Sequence, residues 1–125
     1  MAGEEILVVD DDVKNMKLFR DVLQATGYRT LEATTGTDAV RLATDHAPAL
    51  VLMDIRLPDI DGLEALRRLR GAEKTASIPV LAVTAQAMKG DRERFIEAGF
   101  DGYLSKPVDL DELLDYVGHF AGGRR

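Results

Sequence analysis

Three stretches of this chain are apolar at every position: Ile6-Leu7-Val8-Val9, Leu50-Val51-Leu52-Met53 and Val80-Leu81-Ala82-Val83. A strand with one wet face alternates apolar and polar side chains. A strand without alternation must be covered on both faces, as in a parallel sheet lying between helices. Two further segments fit the margins of such a sheet. Tyr28-Arg29-Thr30-Leu31-Glu32-Ala33 mixes polar with apolar residues and suits one edge strand, and the short Tyr103-Leu104-Ser105 suits the other.

Helical stripes separate these runs. Met16, Phe19, Val22 and Leu23 form one, closed by Gly27. Ala39, Val40 and Ala43 form a weaker one after Gly36. Leu63, Leu66 and Leu69 follow Gly62 and stop at Gly71, and Phe95, Ile96 and Ala98 precede Gly99. Leu110, Leu113, Leu114 and Val117 repeat at i, i+3, i+4 and i+7, behind an Asp109…Glu112 pair spaced as a capping box. Strand and helix alternate five times, so the expected fold is α/β: a (βα)5 doubly wound five-stranded parallel sheet. Right-handed crossovers favour the order 2-1-3-4-5, with the switch point between strands 1 and 3.

A chain of 125 residues accommodates one domain, expected to occupy 1–125, with Gly122-Gly123-Arg124-Arg125 read as a frayed tail. Lys and Arg total 16 against 22 Asp and Glu, a net charge of -6 that argues against nucleic acid or an anionic membrane as the main partner. There is no cysteine, which removes disulfides and thiolate metal sites. No apolar segment approaches the roughly 20 residues of a bilayer span. Met1-Ala2-Gly3-Glu4-Glu5 is acidic and unlike a signal peptide, so the expected location is cytoplasmic.

Four of the apolar runs end in residues that handle phosphate. Asp10-Asp11 follows the first, Asp54 the third, Thr84 the fourth and Lys106-Pro107 the fifth. In a doubly wound sheet ligands bind beyond the carboxyl ends of the strands at the switch point, where Asp10, Asp11 and Asp54 fall. Three carboxylates there make a hard oxygen site suited to Mg²⁺, with Mn²⁺ as the alternative. Without metal they repel one another, and at least one should titrate high. Asp54 is the candidate nucleophile toward phosphorus, with Mg²⁺, Lys106, and either the Thr84 hydroxyl or nearby backbone N–H groups offsetting charge on the phosphoryl oxygens. Asp12 stands where the first helix begins and reads as its N-cap.

These residues resemble the receiver domain of two-component response regulators. The resemblance rests on Val9-Asp10-Asp11, Met53-Asp54-Ile55-Arg56-Leu57-Pro58, Gly62, Thr84-Ala85 and Ser105-Lys106-Pro107, and it covers essentially the whole chain. Asn15-Met16-Lys17-Leu18-Phe19, Ala87-Met88-Lys89-Gly90-Asp91 and Gly102-Tyr103-Leu104 look like DivK-like single-domain receivers. The resemblance implies a flavodoxin-like, CheY-like fold and a phosphorelay role. Asp54 would be the phosphoacceptor from a phosphohistidine on a histidine kinase or histidine phosphotransfer protein. The Asp11 and Asp54 side chains and the Arg56 carbonyl would hold Mg²⁺, with Asp10 direct or through water. Lys106 and Thr84 would contact the phosphoryl group, Thr84 and Tyr103 would form a switch pair, and Arg56 and Gln86 would modulate phosphoryl lifetime. The output would be a surface of helix 4, strand 5 and helix 5 that binds a downstream protein effector. Such a module is not a turnover enzyme. It also occurs as a receiver within hybrid histidine kinases.

Two other classes compete. Asp10-x-Asp12 is similar to the motif of haloacid-dehalogenase-type phosphatases, with Asp10 as nucleophile and Asp12 as acid, but this leaves Asp54 without a role. A structural pseudo-receiver would not need the full acid, Thr84 and Lys106 set. Among other residues, Leu18 is either an isolated exposed apolar residue or part of a docking patch with Pro107 and Val108. His46 and His119 read as isolated surface residues. Met16, Met53 and Met88 read as packing residues rather than marks of a cofactor site. Arg67, Arg68, Arg70 and Lys74 read as a solvated face, with Glu64–Arg68 an i, i+4 pair.

Overall fold

The structure, a computed structural model, describes residues 4–85 and 89–121. Five strands and five helices alternate: β1 (Glu5–Val9), α1 (Val13–Ala25), β2 (Arg29–Ala33), α2 (Gly36–His46), β3 (Leu50–Asp54), α3 (Gly62–Arg70), β4 (Val80–Thr84), α4 (Asp91–Ala98), β5 (Gly102–Ser105) and α5 (Leu110–Phe120). All pairings are parallel and the order is β2-β1-β3-β4-β5, as the sequence pattern predicts. The residues of β3 and β4 are buried throughout, which is why neither strand alternates.

Two apolar layers sandwich the sheet. Leu7, Val9, Val51, Met53, Val80 and Ala82 pack with Ala39 and Ala43 of α2, Leu66 and Leu69 of α3, and Phe95 of α4. Ile6, Val8, Leu50, Leu52, Leu81 and Val83 pack with Phe19 and Leu23 of α1 and with Leu113 and Val117 of α5. Side-chain caps begin four helices. Asp12 accepts from the Lys14 and Asn15 N–H groups, Thr35 from Asp38, Asp61 from Glu64, and Asp109 from Asp111 and Glu112. The helix α4 starts instead at Gly90, with positive φ and no side-chain cap.

The inward arc of α5 differs from the predicted stripe. Leu113 and Val117 are buried, but Leu110 is exposed and Leu114 half-buried. Tyr116 and Phe120 take their place against the sheet. The cause is steric. A Cβ at Gly102 would lie 2.6 Å from Tyr116 Cε1, so glycine there opens space for the ring. The arc then centres on 113, 116, 117 and 120, and Leu114 lies one residue, about 100°, round from Leu113.

Arg70 also departs from expectation: it is a buckle rather than a solvated charge. Nη1 donates to the carbonyls of Ala76 (3.1 Å) and Ile78 (2.7 Å), and Nη2 to the Gly99 carbonyl (2.9 Å) and Asp101 Oδ2 (2.8 Å). Asp101 Oδ2 also accepts the Val80 N–H at 2.9 Å. A planar guanidinium can serve these separate loops at once. Arg67 and Arg68 do lie on an open face, both paired with Glu64. Arg70→Met is expected to cost about 2 kcal/mol in urea denaturation, because several carbonyls and a carboxylate lose a charged donor. Arg67→Met should change stability by less than about 0.5 kcal/mol.

Candidate functional site

The carboxyl ends of β1, β3, β4 and β5 bring the sequence-selected residues together. Asp10 follows β1 directly, and its N–H donates to the Ala33 carbonyl at 3.0 Å. Asp54 closes β3, and the next N–H, of Ile55, donates to the Val83 carbonyl at 3.0 Å. Thr84 closes β4 beside Ser105, and its carbonyl accepts the Lys106 N–H at 2.8 Å. The Lys106–Pro107 peptide is cis.

Asp10, Asp11 and Asp54 each offer an oxygen, and these lie within 4.8 Å of one another. Asp10 and Asp54 are buried and Asp11 is exposed, so the cluster has a closed side and an open one. Lys106 Nζ lies 3.0 Å from Asp54 Oδ2 and 3.1 Å from Asp10 Oδ2. Asp54 Oδ1 accepts the Arg56 N–H at 3.1 Å, and Asp10 Oδ1 accepts the Asp12 N–H at 2.8 Å. Asp10 Oδ2 has the ammonium as an ion-pair partner but no aligned hydrogen bond among the described residues. The cluster opens into a cleft of about 350 Å³ walled by Asp11, Asp12, Asp54, Arg56, Leu57, Pro58, Ala85 and Lys106.

One glycine sets how closely the next helix approaches. A Cβ at Gly62 would stand 2.7 Å from the Asp54 carbonyl oxygen and 2.9 Å from Ile55 Cα. The Gly62 N–H also donates to the Ile55 carbonyl at 2.8 Å. The start of α3 therefore rests on the backbone of Asp54 and Ile55, where a side chain would not fit.

The electrostatics follow from burial and crowding. Burial pushes the Asp10 carboxyl above its ordinary value; the Asp12 N–H and Lys106 pull the other way, and the Asp54 charge adds a smaller push upward. The direction matches the expectation of a raised carboxylate, but loss of water leads and mutual repulsion follows. Burial opposes the Lys106 charge, yet its hydrogen bond to Asp54 and its close pairing with Asp10 outweigh that and hold the ammonium above the usual lysine value. Hard oxygens, one open side and a buried oxygen short of hydrogen bonds suit a small divalent cation.

By strand register, Ala82, Thr84, Tyr103 and Ser105 face the same side of the sheet, the side that α4 covers. Thr84 is buried, and the half-buried Tyr103 ring stacks on Phe95 of α4 with centroids 5.7 Å apart. Burial pushes the Tyr103 phenol upward. Arg56 is exposed on the cleft wall. Gln86, Ala87, Met88 and the tail 122–125 lie outside the described residues. Leu18 is exposed, and Val13, which the sequence pattern did not single out, is 82% exposed. His46 and His119 are exposed and do not line the cleft. No helix among the described residues is long and apolar enough to cross a membrane.

Asp59 also escaped the sequence reading. Its carboxylate accepts the N–H groups of Gly36 (2.8 Å) and Thr37 (3.0 Å) at the start of α2. A further hydrogen bond from the Thr37 side chain leads in holding it well below the usual carboxylate range. Its signal in the sequence is weak, since the partners lie 23 and 22 residues away and share no periodicity with it.

Comparison with known proteins gives one answer. The family model described as response regulator receiver domain matches residues 6–118. The polar-differentiation response regulator DivK of Brucella ovis is 43% identical over 119 residues, covering 95% of this chain and 97% of that protein. Among solved structures, the receiver domain of a sensor histidine kinase from Pseudomonas aeruginosa has a magnesium ion coordinated in its active site cleft. It superposes with a TM-score of 0.88 at 38% identity, covering 98% of this chain and 100% of that one. A putative response regulator from Chloroflexus aurantiacus matches with a TM-score of 0.88 at 31% identity, over 94% of this chain and 97% of that one.

The charge balance gives a test. A carboxyl whose native pKa is raised contributes stability that is full below its unfolded pKa and lost as pH rises through the native value. Asp10→Asn is therefore expected to raise the metal-free Tm at pH 8, with the gain shrinking toward pH 4. The same substitution is expected to reduce the rise in Tm that millimolar Mg²⁺ gives the wild type. Thermal melts across pH, with and without Mg²⁺, measure both.

Proposed function

We propose, because this chain belongs to the response regulator receiver domain family, that it carries a phosphorelay signal through Asp54. A phosphohistidine on a histidine kinase or a histidine phosphotransfer protein supplies the phosphoryl group. An Asp54 carboxylate oxygen attacks phosphorus, the bond from phosphorus to the imidazole nitrogen breaks, and the imidazole leaves with that electron pair. The observation that carries the reading is Lys106 Nζ at 3.0 Å from Asp54 Oδ2, inside a cluster of three carboxylates at the mouth of the cleft.

The chain's own residues divide the work. The Arg56 N–H orients Asp54 through Oδ1. Lys106 pairs with the carboxylate before transfer and can follow the negative charge onto a phosphoryl oxygen afterwards. Asp10, Asp11, Asp54 and the Arg56 carbonyl would hold Mg²⁺, which when bound offsets charge on the phosphoryl oxygens. Thr84 takes a further phosphoryl oxygen. Its movement frees space on the face it shares with Tyr103, whose inward turn alters the surface of α4, β5 and α5. That surface engages a downstream protein effector in the cytoplasm. The protein is a signalling switch, and its own dephosphorylation is slow because Arg56 shields the acyl phosphate from water, with Gln86 as the second modulator.

Likeness to the receiver of a sensor histidine kinase supports a second setting, in which the same chemistry serves a hybrid kinase. The phosphatase reading draws less support. Asp12, its required acid, has Oδ1 occupied by the N–H groups of Lys14 (2.8 Å) and Asn15 (3.3 Å).

Asp54→Asn is expected to abolish acyl-phosphate labelling by a small phosphodonor with Mg²⁺, read by mass spectrometry of the intact chain. Labelling that survives Asp54→Asn and disappears in Asp10→Asn would establish the phosphatase reading instead. Arg56→Ala is expected to shorten the half-life of the phosphorylated protein several-fold; an unchanged half-life removes the shielding role.

A further inference from the structure

Asp59 sits on the loop from β3 to α3, beyond the residues that wall the cleft. The loop is tied down in three places. At its start, the Ile55 carbonyl accepts the Gly62 N–H at 2.8 Å. At its end, Asp61 caps α3 by accepting the Glu64 N–H at 2.8 Å. In the middle, the Asp59 carboxylate reaches to α2, with Oδ1 accepting from Gly36 at 2.8 Å and Oδ2 from Thr37 at 3.0 Å. Arg56, Leu57 and Pro58 lie between the first tie and Asp59, and all three line the cleft.

The neighbouring contact is equally tight. A Cβ at Gly36 would stand 2.5 Å from Ile60 Cγ1 and 3.0 Å from the Ile60 carbonyl oxygen. The loop is thus seated against the first turn of α2 with no room for a side chain between them. An anion at a helix N-terminus is favourable for stability alone. Here, however, Thr35 already caps α2 locally, through the Asp38 N–H at 3.1 Å. The extra carboxylate comes from a loop that has its own reason to be held still.

That reason is the Arg56 carbonyl. A side-chain ligand can adjust by rotation, whereas a backbone carbonyl goes where the chain puts it. Mg²⁺ tolerates little departure from octahedral geometry, so a carbonyl ligand has to be placed by the loop. We propose that Asp59 is a positioning residue for the metal site, fixing the Arg56 carbonyl by anchoring the β3–α3 loop to the start of α2. The inference rests on the phosphoacceptor reading, in which the Arg56 carbonyl is a ligand.

Mg²⁺ titrations of the full chain by calorimetry test it, on the wild type, Asp59→Ala, Asp59→Asn and Thr35→Ala. Asp59→Ala is expected to weaken Mg²⁺ binding about tenfold, the scale of losing a residue that supports a metal ligand. Asp59→Asn keeps one acceptor oxygen and should fall between, giving an answer even where the alanine variant folds poorly. Thr35→Ala removes a cap from the same helix without touching the loop, and is expected to lower Tm while keeping the wild-type Mg²⁺ affinity. Unchanged affinity in both Asp59 variants, or an equal loss in Thr35→Ala, would overturn the proposal while leaving the phosphoacceptor reading standing. A wild type that binds no Mg²⁺ would defeat that reading, and the inference with it.

Discussion

One ammonium holds the site in shape. Two buried carboxylates, Asp10 and Asp54, sit near an exposed third, and Lys106 spans the buried pair at 3.1 and 3.0 Å. Two like charges about 4 Å apart repel by roughly 4 kcal/mol at an effective dielectric near 20. A parallel sheet places strand ends side by side whatever their charge, so the fold creates this crowding and β5 supplies the answer to it. Lys106 reaches the cluster because its own N–H is fixed to the Thr84 carbonyl. The metal-free site is a compromise: Lys106 gains from the acids, while Asp10 still titrates high because burial outweighs that help.

Much of this was legible in the sequence because it depends on position along strands. Unalternating runs required cover on both faces, that required a parallel sheet, and the sheet placed Asp10, Asp11, Asp54, Thr84 and Lys106 along one edge. Asp12 was legible as a cap because caps are local. What escaped depends on meetings between distant residues. Arg70 belongs by spacing to an exposed face, and its carbonyl partners at Ala76, Ile78 and Gly99 become visible once two loops are assembled. Asp59 resembles any turn aspartate until α2 is laid beside it. The face of α5 was misjudged for a related reason. Periodicity marks where apolar residues recur, but the space left by Gly102 decides that Tyr116 rather than Leu114 is turned toward the sheet.

The path from cleft to surface is short and aromatic. Tyr103 stacks on Phe95, and Phe95 meets Phe100 edge-on at 5.9 Å. Phe95 and Asp91 are the buried residues of α4, so this helix has a small hold on the core. On the other side of β5, the Tyr116 hydroxyl lies 3.3 Å from Arg92 Nη2 and links α5 to α4. The Tyr103 ring therefore bears directly on a helix that buries two residues.

Arg70 ties that arrangement to the entrance of the sheet. Its guanidinium holds the Gly99 carbonyl, just beyond the last turn of α4, to the end of α3 and the entrance of β4. The opposite end of α4 begins at Gly90 without a side-chain cap. Asp91, the first residue of that end, is buried and pairs with Arg94 at 3.0 Å. Loss of the Arg70 guanidinium would therefore register on three elements together: the end of α3, the start of β4 and the turn that follows α4.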